Sequence, residues 1–67
     1  MTKQYNCEIY SIAALKTAIV AYSQICSITL IDNGNYYTCK FSCCKFNETE
    51  TGNEFDNYVI CAMSKEG

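Results

Sequence analysis

The chain has 67 residues and a formal net charge of −2, from five lysines set against seven acids. A chain of this length folds as one domain around one small core, burying about 60% of the surface that its unfolded form exposes. It contains no histidine, arginine, tryptophan or proline, so there is no guanidinium clamp for phosphate or carboxylate, and the scattered lysines give none of the basic footprint of a nucleic-acid binder.

The opening residues 1–6 are polar and lack the apolar stretch of a signal peptide. The longest apolar run, Ile12–Val20, is interrupted by Lys16 and Thr17 and is too short for a bilayer. A cytoplasmic protein without a membrane partner is therefore expected, in a compartment where thiols stay reduced.

Gln4–Tyr10 alternates, with Tyr5, Cys7 and Ile9 on one side and Gln4, Asn6 and Glu8 on the other, as a half-buried strand does. Ser11 is placed as an N-cap, with Tyr10 and Leu15 positioned as a hydrophobic staple. A helix follows from Ile12 to Gln24. Its apolar stripe is Ile12, Leu15, Ile19 and Tyr22, and Ala14 and Ala18 permit close packing.

Ile25–Ile31 and Tyr36–Phe46 are predicted strands, joined at Asn33-Gly34 by a two-residue type I′ turn. That turn pairs Leu30 with Tyr37, Ile28 with Cys39 and Cys26 with Phe41 on one face. The other face pairs Ile31 with Tyr36, Thr29 with Thr38 and Ser27 with Lys40. Asn47–Glu50 is predicted as a polar loop, and Thr51 and Glu54 as the capping box of a second helix running to about Ser64. Phe55, Tyr58, Val59, Ala62 and Met63 mark its buried face, and the tail from Lys65 to Gly67 should fray.

The fold class is thus α+β, a βαββα two-layer sandwich with both helices on one face of a three-stranded sheet. That face is expected to carry Cys7, Ile9, Cys26, Ile28, Leu30, Cys39 and Phe41. Strand order 1-3-2 is favoured over 1-2-3, because Tyr36–Phe46 is the longest strand and carries the most bulky residues.

The six cysteines do not have the spacing of a metal site. On a strand Cys39 and Cys43 lie roughly 13 Å apart, and Cys43 and Cys44 point to opposite faces. Cys7, Cys26, Cys39 and Cys43 read as small buried hydrophobes and Cys61 as a residue at the core edge, all as free thiols. A bridge from Cys7 to Cys39 or Cys43 falls within geometric reach only under oxidation. Cys44 is expected on the outer face as the most reactive thiol, and a redox or metal-binding alternative centres on Cys43-Cys44.

Catalysis has little to stand on. Without histidine, a general base at neutral pH would need a perturbed carboxylate or lysine, and the acids fall in capping or loop positions. No cofactor is implied. Binding is better served: Ile25–Ile31 has neither charge nor proline, so as an edge strand it is unprotected against pairing. The candidate contact residues are Ile25, Ser27, Thr29 and Ile31 on that strand, and Tyr36, Thr38 and Lys40 on the outer sheet face. The expected partner is a peptide or protein, with a homodimer through the same edges as the alternative. A proline at Thr29 would test the edge if that N–H points outward.

Two segments carry a family resemblance. Tyr10-Ser11-Ile12-Ala13-Ala14-Leu15-Lys16-Thr17-Ala18-Ile19-Val20-Ala21-Tyr22 is similar to the opening helix of the D-component proteins of the His-Xaa-Ser peptide-modification system. Asn53-Glu54-Phe55-Asp56-Asn57-Tyr58 resembles the start of their later Asn-Glu-Leu-Leu-Asp helix. The resemblance implies a non-catalytic accessory, an adaptor whose partner is a radical-SAM enzyme or its precursor peptide.

Overall fold

The computed structural model describes residues 1–65. Five elements follow one another: β1 (Thr2–Asn6), α1 (Ile12–Ala21), β2 (Ser27–Asp32), β3 (Tyr36–Ser42) and α2 (Glu48–Ser64). The strands form an antiparallel sheet in the order β1-β3-β2, as the sequence predicts, with the strand of bulky residues in the middle.

One core joins the layers. Tyr5, Cys39, Phe41 and Cys26 from the sheet side meet Ala14, Leu15 and Ala18 of α1 and Phe55 and Val59 of α2. Phe55 is wholly buried at its centre. Its ring lies 5.2 Å from Phe41, 5.8 Å from Tyr22 and 6.2 Å from Tyr5, between centroids. The Phe41 and Tyr22 contacts are edge-on, the geometry in which the positive edge of one ring meets the negative face of another.

Five local features differ from the sequence expectation. β1 ends at Asn6, because the amides of Ile9 and Tyr10 both turn back to the Asn6 carbonyl. Ile9 is consequently 63% exposed instead of joining the core. Ser11 does cap α1, accepting from the Ala14 N–H at 3.3 Å. That helix stops at Ala21, with Tyr22 as its C-cap, three residues before the predicted Gln24.

The hairpin turn sits one residue later than expected. Asn33 and Tyr36 flank it, with the Asn33 N–H donating to the Tyr36 carbonyl at 2.9 Å. Gly34 is the first central residue, at φ +92°, and Asn35 does not have a positive φ. That is the pattern of a type II′ turn, which asks only glycine to be left-handed, whereas type I′ would ask the same of Asn33. The register becomes Leu30↔Cys39, Ile28↔Phe41 and Asp32↔Tyr37. Because partner numbers shift by two, the side chains of these paired residues stay on their expected faces.

β3 does not run straight to Phe46. Ser27 pairs with Ser42, yet the Lys45 N–H donates to the Ile25 carbonyl at 2.8 Å, so Cys43 and Cys44 together oppose Cys26. One extra residue on one strand is a β-bulge, and Cys43 absorbs it at φ +54°.

α2 begins one turn earlier than predicted. Asn47 is its N-cap, accepting from the Glu50 N–H at 3.1 Å. Glu48 and Glu50 fill the first turn, where carboxylates favour the positive helix end. Glu48 also receives the Met1 amino group at 3.3 Å. Thr51, expected as the cap, is instead buried inside the helix. Lys65 is the C-cap, and the rest of the tail expected to fray, Glu66 and Gly67, lies outside the described residues.

Candidate binding edge and its surroundings

In the order β1-β3-β2, each outer strand has one side without a strand neighbour. In β2 the inward and outward amides alternate. With Asn33 and Tyr36 forming a hydrogen-bonded pair, Ser27, Thr29 and Ile31 are the ladder residues facing β3. Ile28, Leu30 and Asp32 direct their N–H and C=O groups to the free side. This answers the condition attached to Thr29: its N–H belongs to the ladder, and proline there would break the sheet. The earlier turn would have reversed the two sets of amides while leaving the side-chain faces unchanged.

The candidate residues divide into three groups. Ser27, Thr29, Ile31, Tyr36 and Lys40 are exposed and lie together on the outer face, with Thr29 beside Lys40 in the register. Ile31 and Tyr36 are 36% and 44% exposed, the two apolar contributions to an otherwise polar surface. Thr38 is on the same face but only 6% exposed, because the Asn33 side chain lies over it and donates to its hydroxyl at 2.9 Å. Ile25 departs from the expectation. It precedes β2, donates its N–H to Tyr22 at 3.0 Å and packs on the core.

Sequence reasoning missed Ile28, Leu30 and Asp32 as the outward-facing backbone. Their half-buried or exposed side chains give no signal; only the turn position settles which amides face out. β1 completes the outer face with Thr2, Gln4 and Asn6, opposite Lys40, Thr38 and Tyr36.

The cysteines are arranged differently from the expectation. Cys26 and Cys44 form a disulfide, with Cα atoms 4.0 Å apart. The bulge is the cause, since one extra residue turns Cys44 inward and Cys43 outward, the reverse of simple alternation. Cys44 then meets Cys26 between two hydrogen-bonded positions, where antiparallel strands approach most closely. Among the described residues Cys7, Cys39, Cys43 and Cys61 are free; Cys39 is buried as expected, while Cys43 and Cys61 are exposed. No group of three metal-ligating side chains comes together among the described residues.

A polar clamp lies under β1. The Tyr5 hydroxyl donates to Asp56 at 2.5 Å, and the Lys3 ammonium donates to the other Asp56 oxygen and, at 3.3 Å, to the Gly52 carbonyl. Burial, with the Asp56 carboxylate second, holds the Tyr5 phenol protonated far above its ordinary range. The cluster ties α2 to the sheet. At Gly52 an added Cβ would lie 2.8 Å from the Met1 Cε, which is how closely that helix approaches β1.

On the helical side, Ala13, Ala14, Thr17, Tyr58, Cys61, Ala62 and Lys65 line a mainly apolar groove of about 340 Å³ between α1 and α2. Among the described residues no helix is long and apolar enough to cross a membrane.

No family model, curated protein or solved structure matches the chain.

Proposed function

We propose that this protein is a non-catalytic binding module that adds an extended segment of a partner to the free side of β2. The observation that carries the reading is the set of outward N–H and C=O groups at Ile28, Leu30 and Asp32, on an edge strand without lysine or proline. Backbone pairing supplies affinity in such complexes, and side chains on alternate faces select the partner. Ile28 and Leu30, both half-buried, would favour apolar partner side chains on the core side; Thr29 and Ile31 would meet those on the outer face. The resemblance to the His-Xaa-Ser proteins narrows the partner class to a precursor peptide or the radical-SAM enzyme acting on it.

A second reading is a homodimer through the same edge. It is favoured by the self-complementarity of β2: pairing two copies antiparallel about Leu30 sets Asp32 opposite Ile28, so no like charges face each other.

Cytoplasmic residence is part of the proposal. In that compartment thiol pools hold pairs such as Cys26–Cys44 open unless an oxidant closes them, so the bridged form is the oxidised state of the protein.

The test compares partner recovery by the wild type, Leu30→Ala and Leu30→Pro. Both substitutions remove the same side-chain packing, and only proline removes the outward N–H. Proteins recovered with the first two and lost with the third are edge partners. Equal recovery by all three would overturn the reading, and a concentration-independent monomer in light scattering would remove the dimer.

A further inference from the structure

The two cysteines of the Cys26–Cys44 bridge differ in burial. Cys26 is 2% exposed and belongs to the buried core cluster. Cys44 is half-buried at the bulge, where the chain leaves the sheet for α2. Attack on a disulfide requires a thiolate to reach one sulfur in line with the bond, so access selects which sulfur is attacked and which leaves.

We propose that Cys26–Cys44 is a thiol–disulfide exchange site for small thiols of the glutathione class, with Cys44 the attacked sulfur and Cys26 the leaving and resolving one. The incoming thiolate bonds to Cys44 Sγ, the Cys44–Cys26 bond breaks, and its electron pair departs on Cys26 Sγ, which takes a proton from solvent. The product is a mixed disulfide on Cys44. A second small thiolate then attacks the sulfur of the bound small thiol and expels Cys44 as a thiolate. The protein has gained two electrons, and two small thiols have become one small-molecule disulfide. Closure runs the same steps backward: Cys26 returns to Cys44 and expels the small thiol.

The fold suits this role. Cys26 is held opposite Cys44, at 4.0 Å between Cα atoms, by flanking pairs that do not depend on the bridge. Cys43, adjacent in sequence, is turned outward by its positive φ and takes no part.

The oxidised full-length chain, treated briefly with reduced glutathione, acid-quenched and mapped by peptide mass spectrometry, tests the assignment. Glutathione is expected on Cys44 with Cys26 as a free thiol, and Cys43→Ala should leave this unchanged. With glutathione disulfide, Cys44 in Cys26→Ala should be modified roughly ten-fold or more faster than Cys26 in Cys44→Ala, because thiol access differs. Glutathione found on Cys26, equal rates in the two variants, or exchange abolished by Cys43→Ala would overturn the proposal. The wild-type map needs no variant to fold.

Discussion

Cys43 shows how one residue's backbone decides the chemistry of its neighbours. Its φ of +54° places an exposed, non-glycine side chain in the left-handed region, which costs about 1 kcal/mol. Cys43→Gly should therefore raise stability by about 0.5 kcal/mol, after glycine's greater unfolded-state freedom is deducted, and Cys43→Val should lower it; denaturant midpoints read both. Cys39 makes an opposite case, a thiol expected in the core and found there. Burial, and secondarily Asp56, pushes its pKa from 9.0 to about 11. Above pH 9 the unfolded chain releases this proton while the folded chain keeps it, so stability should fall as pH rises from 9 to 11. Cys39→Ala should flatten that part of the profile. A slope unchanged by the substitution would assign the effect elsewhere. The side-chain faces were readable at this scale because alternation survives a turn shifted by one residue. The bulge was not readable, because nothing in Ser42-Cys43-Cys44-Lys45 marks which residue takes the positive φ.

At the scale of elements, the termini were harder to read than the elements themselves. α2 is capped at Asn47, one turn before the predicted cap at Thr51. Tertiary contact favours the earlier start: it adds a turn whose Glu48 meets the Met1 amino group, buries Thr51 and brings Gly52 against Met1 and Lys3. Asn47→Ala should cost about 1 kcal/mol, the worth of a lost N-cap. Thermal unfolding of that variant beside a Thr51→Ser control separates a cap from a buried side chain, since the control keeps any hydroxyl cap and loses only a buried methyl. The disulfide closes a loop with a sequence separation of 18, worth about 3 kcal/mol in the chain-entropy view. Residual hairpin structure in the unfolded chain would reduce that figure. Reduction should therefore lower the denaturation midpoint, and a chain indifferent to reductant would mean the bridge constrains little.

For the whole molecule, the surface and the core tell a consistent story. The chain exposes 4309 Å², about what a monomer of 7.6 kDa exposes when folded. A core of this size contributes only about 3–5 kcal/mol, and Phe55 touches aromatic rings from three other elements or their ends. Phe55→Ala should cost about 3–5 kcal/mol and leave the chain unfolded by circular dichroism, whereas Phe55→Leu should remain folded with a lower midpoint. The βαββα order, the central β3 and the two-layer packing were legible because apolar periodicity dictates them. The binding edge was legible as a strand and not as a set of amides, since a one-residue turn shift exchanges inward and outward groups without moving a side chain. The proposed function rests on that exchange.

Residue-resolved hydrogen exchange along β2 is the most direct test of the edge as the working surface. In the dilute free protein, the amides of Thr29 and Ile31 should be protected, and those of Ile28, Leu30 and Asp32 should exchange freely. Saturation with a partner that Leu30→Pro fails to recover should protect the second set without changing the first. Equal protection of both sets in the free protein, or no added protection at Ile28, Leu30 and Asp32 on binding, would contradict strand addition at this edge.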